Sequence, residues 1–421
     1  MAAHTPPAPT DVLVIGAGPA GSLMAALLHD RGLRVEVVER SRFPRFAIGE
    51  SLLPACLDRL EEAGLLEAVQ ARGYLRKDGA LFVAGDARRR YDFASQHSPG
   101  YDHAWQVPRE DFDQTLASAV AARGVPIAFE TTVQEVSVDP TPRVVVESAG
   151  GTRVIEPRFI VDASGMGRVL PRLLGLDRPS PEPVRAALFA HVAGDRRPAG
   201  TEEGLIWVAV AGPGVWLWVI PFADGRTSVG VVADAAWFDT QPADPAEALR
   251  AAIALEPNVA RRLEGVRFIF PPRRLGGYSA AVSRFSGPGY CLVGNATEFL
   301  DPVFSSGVLL ALESSARAAP LVVAELAGEA PDWDADYAAP MARGIEVFRA
   351  FVHAWYDGRL PTLFFAPEVL PSIERMICSV LAGYVWDESN PFVRDPEGRI
   401  TALAARLNAM AADQTGDGLG L

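Results

Sequence analysis

The chain contains very little cysteine. Its 421 residues include three, Cys56, Cys291 and Cys378, which lie in apolar sequence without any C-x-x-C spacing. This pattern argues against a cysteine-ligated metal site and predicts buried thiols in a reducing, cytoplasmic compartment. His191 and the other histidines lack the spacing of metal ligands, so we expect no metal site.

Basic residues are fewer than acidic ones, 39 against 52. The formal net charge is −13 and the pI is near 5.0, which argues against a general nucleic-acid-binding surface. The first ten residues have neither a basic n-region nor a separate apolar h-region, so we expect a disordered tail over 1–10 and no signal peptide. The length favours two closely packed domains.

One charge-free run, residues 204–222, has roughly the length of a membrane span. Gly212-Pro213-Gly214 lies in its middle and would break a helix while forming a good turn. The run therefore predicts no membrane contact but two buried strands, 205–211 and 215–221. With a third strand at 227–233 they would form an antiparallel meander.

Gly16, Gly18 and Gly21 have the G-x-G-x-x-G spacing, between an apolar run and a helical segment. A strand, glycine turn, helix and strand in this order are the context that a dinucleotide-binding fingerprint requires. Glu39, followed by Arg40, closes the second strand. A carboxylate there can accept hydrogen bonds from an adenosine ribose and would repel a 2′-phosphate, which favours FAD or NAD over NADP.

Periodicity predicts helices over 51–73, 111–123, 246–263 and 307–326, one strand over 154–161, and further helices beyond 331. The expected fold is α/β with an α+β insert: a Rossmann-type FAD-binding domain, an antiparallel β-sheet substrate domain and a helical C-terminal cap. We assign 11–80, 105–175 and 280–330 to the first, 81–104 and 176–279 to the second, and 331–421 to the cap.

A second polar segment, residues 289–307, runs from a short strand through a glycine turn into a helix start rich in serine and glycine. Backbone N–H groups at such a position can hold polar cofactor atoms or an anion. The candidate cofactor-binding residues in this segment are Gly294, Asn295, Asp301, Pro302, Ser305, Ser306 and Gly307.

Over residues 11–330 the chain resembles the superfamily of FAD-dependent monooxygenases and halogenases. That superfamily normally has Gly-Asp where this chain has Gly294-Asn295. The amide can still accept a hydrogen bond from a ribityl hydroxyl, so the resemblance implies FAD. Arg109 matches a superfamily arginine on the flavin side of the site.

Other motifs resemble flavin-dependent halogenases. Residues 43–54, including Glu50, look like their flavin-facing segment, and Trp216 and Trp218 match their W-x-W-x-I-P signature. In those enzymes a lysine between flavin and substrate handles hypohalous acid; Lys77 is the matching residue, with a surface lysine as the alternative. The resemblance implies catalytic roles for Lys77 and Glu50, and a substrate pocket that includes Trp216, Trp218 and Phe304.

The reaction stays open at this stage. Reduced flavin and O2 give an electrophilic C4a-hydroperoxide, which an aromatic ring or a halide can attack. Because the chain also resembles halogenase-like hydroxylases, including those that act on a partner protein's tryptophan, we place hydroxylation of an indole or phenol first. Halogenation of a similar ring is the alternative, a flavin dehydrogenase or reductase comes third, and a non-catalytic FAD-binding protein belongs to another class.

The substrate would be an aromatic small molecule, a carrier-bound group or a peptide. No second nucleotide fingerprint follows the first. We therefore expect reducing equivalents to come from NAD(P)H that docks transiently or from a separate flavin reductase.

Overall fold

The computed structural model describes residues 10–180, 182–277 and 280–416, with side chains as far as residue 410. Nearly all of the tail predicted for residues 1–10 lies outside the described residues.

The strands are β1 Val12–Ile15, β2 Val35–Val38, β3 Leu75–Lys77, β4 Gly79–Ala84, β5 Ala87–Asp92, β6 Ala104–Gln106, β7 Ile127–Ala128, β8 Thr132–Ser137, β9 Arg143–Ser148, β10 Gly151–Ile155, β11 Phe159–Asp162, β12 Asp177–Arg178, β13 Arg185–Ala193, β14 Ile206–Gly212, β15 Val215–Pro221, β16 Thr227–Asp234, β17 Arg267–Phe268, β18 Arg273–Gly276, β19 Ala281–Val282, β20 Ser286–Gly287 and β21 Tyr290–Leu292. The helices are α1 Pro19–Asp30, α2 Ala55–Glu62, α3 Leu66–Gln70, α4 Arg109–Ala122, α5 Val169–Leu173, α6 Ala235–Asp239, α7 Pro245–Ala254, α8 Pro257–Arg262, α9 Ser306–Leu326, α10 Ala339–Tyr356, α11 Arg359–Phe364, α12 Pro371–Leu381, α13 Pro391–Arg394 and α14 Pro396–Gly416.

A mostly parallel sheet contains the fingerprint. Its order is β20-β21-β11-β1-β2-β7, and β1 pairs in parallel with both β2 and β11. All four residues of β1 are buried, because helices and loops cover both faces of a parallel sheet. The turn after β1 leads directly into α1, which places the N-terminus of that helix at the carboxyl edge of the sheet.

The second sheet has the order β17-β13-β16-β15-β14-β4-β5, with β18 also paired to β13. Its centre is the predicted meander of β14, β15 and β16, which is confirmed. Trp216, Trp218 and Ile220 point to the main hydrophobic core, whereas the alternate residues of β15 pack in a second core with α7 and α8. Burial on both faces explains why residues 204–222 carry no charge.

The α/β fold class and the helical C-terminal region are confirmed. The segment predicted as a helix over 51–73 forms two shorter helices, α2 and α3, with Gly64 at a φ of +62° between them. Two further elements differ from the prediction. Residues 154–161 are not one strand: β10 ends at Ile155 and β11 begins at Phe159, with Pro157 between them. Residues 246–263 form two helices, because Pro257 starts α8. In both places proline supplies no N–H to continue the hydrogen-bond pattern.

The domain boundaries stay predictions, although β4 already belongs to the second sheet at Gly79. Helix α9 is long and apolar enough to cross a bilayer, but 61% of its most apolar window is buried inside the protein. It packs against α1 and α2, as expected of a core helix.

Candidate active site

A cavity of about 690 Å³ lies between the fingerprint sheet and the tryptophan face of the second sheet. It has the size typical of a site for a large cofactor. The predicted site residues that line it are Gly16, Gly18, Glu39, Arg40, Glu50, Arg109, Trp216, Trp218, Gly294, Asn295, Pro302, Ser305 and Gly307. Gly21, Lys77, Asp301, Phe304 and Ser306 are not part of its lining.

The three fingerprint glycines have different roles. Gly16 has a φ of +102°, and a Cβ on Gly21 would lie 1.8 Å from the Gly16 carbonyl oxygen, so both are needed to form the turn. Gly18 faces the cavity, and a Cβ there would come no closer than 3.4 Å to the Arg45 side chain. The turn itself does not require a glycine at position 18. The absence of a side chain there leaves room for a molecule bound in the cavity.

Glu39 is buried at the end of β2, with its carboxylate at the cavity. One oxygen accepts a hydrogen bond from the Ala17 N–H at 3.0 Å and the other from the Ser41 N–H at 2.9 Å. Each carboxylate oxygen has a second lone pair, so the group can also accept bonds from ribose hydroxyls. The bare Gly18 backbone, the start of α1 and this carboxylate together fit FAD.

Arg109 lies at the cavity but is held by protein groups. Its guanidinium makes two hydrogen bonds to Asp113, at 2.7 and 3.0 Å, and one to the Ile48 carbonyl at 2.6 Å. Arg45 contacts the same Asp113 carboxylate at 3.1 Å. The arginine therefore fixes residues 43–54, which border the cavity and which we call the strap. The sequence did not point to Asp113.

Asp301 does not contact the cavity, which differs from its predicted role as a cofactor ligand. One of its oxygens accepts from the Val303 N–H at 3.0 Å and the other from the Tyr356 hydroxyl at 2.9 Å. Tyr356 in turn accepts a hydrogen bond from the Trp216 indole at 2.9 Å. Burial raises the pKa of Asp301 to about 6. Asp301 therefore shapes the loop before α9 and connects it to Trp216. Trp216 and Trp218 form one wall of the cavity, which we call the tryptophan wall.

Phe304 also differs from its prediction as a pocket residue. Its ring packs edge-on against Phe351 and Trp355 of α10, in the hydrophobic core. Ser305, with a φ of +57°, and Gly307 do face the cavity at the start of α9. The backbone N–H groups of this first helical turn have no acceptor within the helix, so they can hold an anion or a flavin carbonyl oxygen.

Lys77 is buried, with 1% of its surface exposed, so the alternative of a surface lysine is wrong. Its Nζ donates a hydrogen bond to the Leu52 carbonyl at 2.8 Å and lies 5.4 Å from the centre of the Phe93 ring. Burial lowers the pKa of Lys77 to about 7 and raises that of the Cys56 thiol to about 12. An amine in this state exchanges a proton readily at neutral pH.

The sequence carries a signal for this residue that the motif analysis did not use. Lys77 is the only lysine in the chain, and all its other Lys or Arg positions are arginine. Arginine cannot lose its proton in a protein, whereas lysine can. A single lysine that is also buried therefore does not serve to keep the protein surface soluble.

Glu50 forms a buried pair with His191. From the sequence, His191 was considered only as a metal ligand, and its spacing did not fit that role. The Glu50 Oε1 and His191 Nε2 atoms are 2.6 Å apart, and both side chains are 1% exposed. Phe46, Phe222 and Phe270 surround the imidazole. The pair lies in apolar surroundings and holds the strap against β13.

Breaking this pair should be costly. We expect His191→Leu to lower the free energy of unfolding of the flavin-free protein by about 3 kcal/mol, because a buried carboxylate loses its partner. Glu50→Leu combined with His191→Leu should recover part of that loss. Urea unfolding measures both, and His103→Leu, which removes an exposed pair with Asp102, should cost below about 1 kcal/mol. Equal losses in the single and double variants would contradict the pairing.

A family described as "FAD binding domain" matches residues 9–343. Among curated relatives, tryptophan 2-halogenase of Chondromyces crocatus is 33% identical over 334 residues, which is 77% of this chain and 63% of that protein. This chain thus spans less than two thirds of that relative. Flavin-dependent halogenase armH2 of Armillaria mellea is 30% identical, with 78% and 68% covered.

Two further proteins match over almost the whole chain. The 1H-pyrrole-2-carbonyl-[peptidyl-carrier protein] chlorinase of Pseudomonas fluorescens is 27% identical, with 93% of each chain covered. A crystal structure of a flavoprotein/dehydrogenase from Cytophaga hutchinsonii is 46% identical, covers 96% of this chain and 100% of its own, and has a TM-score of 0.94. The resemblance seen in the motifs is confirmed: the chain belongs to the FAD-binding, halogenase-like flavoprotein superfamily and, within it, to the flavin-dependent halogenase family.

Proposed function

We propose that this protein is a flavin-dependent halogenase that acts on an electron-rich aromatic ring. The observation that carries the proposal is Lys77, the chain's one lysine, buried and with a pKa near 7 on the far side of the strap from the cavity. Bound FAD, once reduced, would supply the activation of O2 that oxidises a halide.

The strap lies between the cavity and Lys77. Glu50 and Ser51 line the cavity, whereas Leu52, the next residue, offers its carbonyl to Lys77. An amine at this position can act on a small oxidised halogen species that crosses the strap. If the ring reacted directly at the flavin, a buried amine behind the strap would have no part in the reaction.

The tryptophan wall supports the same interpretation. The Trp216 indole N–H is held by Tyr356, and the Trp218 indole N–H donates to the Ser228 hydroxyl at 3.1 Å. Trp218 also lies flat on β16, where a Cβ on Gly230 would come within 2.3 Å of its ring. Side chains fixed in this way occupy space near the flavin and favour a substrate ring held elsewhere.

Hydroxylation, which the sequence placed first, is now the second candidate. The curated relatives above are named as halogenases or a chlorinase, and Lys77 has a clear task in halogenation alone. The 46% identical flavoprotein/dehydrogenase keeps a dehydrogenase or reductase as the third candidate.

We propose a pyrrole, indole or phenol as the substrate class, either free or tethered to a carrier protein. The relative that matches 93% of this chain is named for a carrier-bound pyrrole, which supports the tethered form. A separate flavin reductase with NAD(P)H is the proposed source of electrons, and a cytoplasmic location stays a prediction.

The test is reconstitution with FAD, a flavin reductase, NADH and air. Pyrrole-2-carboxyl thioester on a carrier protein, indole and phenol would be offered in turn, with chloride, bromide or no halide. We expect a halogenated ring that depends on halide, and halogenation of monochlorodimedone when no ring is present. An oxygenated ring formed at equal rates without halide would overturn halogenation in favour of hydroxylation. NADH oxidation with neither product would favour the dehydrogenase.

A further inference from the structure

The face of the second sheet that lies away from the cavity carries a buried arginine and indole pair. Trp207 of β14 is opposite Leu81 and Val219 of the neighbouring strands, and all three pack in the second core. Arg262, the last residue of α8, lies over the indole with its Cζ atom 4.6 Å from the ring centre. Trp207 is 6% exposed and Arg262 is 4% exposed. The pair therefore lies inside the protein, between the sheet and α8.

Each member of the pair has a hydrogen-bond donor without an acceptor. The Arg262 Nε and Nη2 atoms donate to the two oxygens of Asp195, both at 2.9 Å. The Arg262 Nη1 and Trp207 Nε1 atoms have no partner among the described residues. Guanidinium and indole N–H groups can only donate, and buried donors of this kind normally have an acceptor. The pair therefore needs an acceptor that the described side chains do not supply.

The charges around the pair favour an anion in this role. Asp195, whose side chain is 1% exposed, is shared by Arg262 and by Arg197, whose Nε lies 3.6 Å from the same carboxylate. Burial lowers the pKa of Arg197 even with Asp195 beside it. Glu256, the other buried acid of α8, is used at the opposite end of the helix, where it accepts from the Val259 N–H at 2.7 Å. One carboxylate thus faces two guanidinium groups, and buried charges are normally paired.

We propose that Trp207 and Arg262 bind a single halide ion, chloride or bromide, between the sheet and α8. A monoatomic anion only accepts hydrogen bonds, whereas a water molecule also brings two O–H groups that need acceptors of their own. Both oxygens of Asp195 already accept hydrogen bonds. The inference goes beyond the proposed halogenase function and does not depend on it, because Trp207, Arg262 and Asp195 do not line the cavity.

The bound ion would act on stability. It would attach α8 to the sheet whose opposite face carries the tryptophan wall. A ligand that binds only the folded state stabilises it in proportion to the logarithm of its concentration, once the site is nearly saturated. The halide concentration would therefore set part of the stability of the second sheet.

The first measurement is the melting temperature of the FAD-loaded protein as sodium chloride replaces sodium gluconate at constant ionic strength. For a site of about millimolar affinity, 100 mM chloride should raise the melting temperature by about 3 °C. Trp207→Phe keeps an aromatic ring under Arg262 but removes the N–H. Arg262→Lys keeps a positive charge for Asp195 but removes Nη1. Each variant should lose most of the chloride-dependent rise.

Trp237→Phe is the matched control. Trp237 packs against the same second core but is not part of the pair, so this variant should keep the wild-type rise. The start of α9 is unchanged in all these proteins. An anion bound there contributes equally to each of them and cancels in the comparison.

The second measurement locates the ion. Crystals of the FAD-loaded protein grown in sodium bromide and measured at the bromine absorption edge should show an anomalous peak beside the Trp207 Nε1 and Arg262 Nη1 atoms. The peak should be absent from crystals of Trp207→Phe.

Three results would overturn the halide site. One is a water molecule without anomalous signal at the two donors. Another is a chloride-dependent rise that is equal in the wild type, Trp207→Phe and Arg262→Lys. The third is a bromide peak without any difference in the melting experiment, which would show an ion bound at crystal concentration only. If the wild type oxidised no halide, the proposed function would fail but the site would stand, since neither measurement needs turnover.

Discussion

Lys77→Met should abolish halogenation of the ring and at the same time stabilise the protein. We expect ring product to fall by about 1,000-fold or more, with FAD binding and O2 uptake retained because Lys77 does not line the cavity. The stability gain follows from the buried amine. Its pKa is lowered from 10.5 to about 7, which corresponds to on the order of 4 kcal/mol at pH 7.

The sign of this effect depends on pH. Between pH 7 and 10.5 the unfolded lysine binds a proton that the folded one does not, so the wild type becomes more stable as the pH rises. The advantage of the methionine variant should be largest at pH 7 and below and should disappear towards pH 10.5. Urea unfolding of both proteins between pH 6 and 10 measures this difference, in which the titration of every other group cancels.

Lys77→Arg is the matched control. Its guanidinium stays charged when buried, so this variant should be inactive in ring halogenation and less stable than wild type. A methionine variant that is less stable than wild type at pH 7, or that still halogenates the ring in the presence of monochlorodimedone, would contradict the assignment of Lys77.

Alanine substitutions in the glycine turn should separate FAD binding from folding. Gly18→Ala has room in the protein but places a methyl group where the cofactor approaches, so FAD should bind roughly 30-fold more weakly or worse. The melting temperature of the flavin-free protein should stay close to wild type. Gly21→Ala brings a Cβ within 1.8 Å of the Gly16 carbonyl and should destabilise the flavin-free protein itself by about 3 kcal/mol.

Gly212→Ala is the control for this pair. Gly212 does not line the cavity, and a Cβ there would meet no group of the protein within 4 Å. Flavin fluorescence quenching and thermal unfolding should therefore place this variant near wild type in both measurements. A loss of stability in Gly18→Ala as large as in Gly21→Ala would show that the two glycines do not differ as described.

The sequence predicted correctly those parts of the fold that depend on interactions between residues close together in the chain. The order of β1, α1 and β2 and the meander of β14 to β16 follow from apolar runs, glycine turns and the break at Gly212-Pro213-Gly214. The errors at 154–161 and 246–263 have a local cause too. Pro157 and Pro257 are present in the sequence. Because proline has no backbone N–H, each of them could have been used to divide its segment into two elements.

The site was predictable only where one segment forms it. Gly16, Gly18 and Glu39 are close in sequence and in space. Partners such as His191 for Glu50, separated by 141 residues, are brought together by sheet packing that no spacing encodes. The position of Asp301 against Tyr356 depends likewise on α10, which the sequence described only as helical.

The hydrogen bonds of Tyr356 have a consequence for how the protein can be divided. This one side chain, near the end of α10, connects the loop before α9 with the wall of the second sheet. Tyr337 adds a bond to the Leu292 carbonyl at 2.6 Å, and Arg89 reaches the Phe364 carbonyl at 2.9 Å. The flavin-binding segment therefore depends on the C-terminal helices. A chain truncated after α9 would lose the hydrogen bonds that keep its two sheets together.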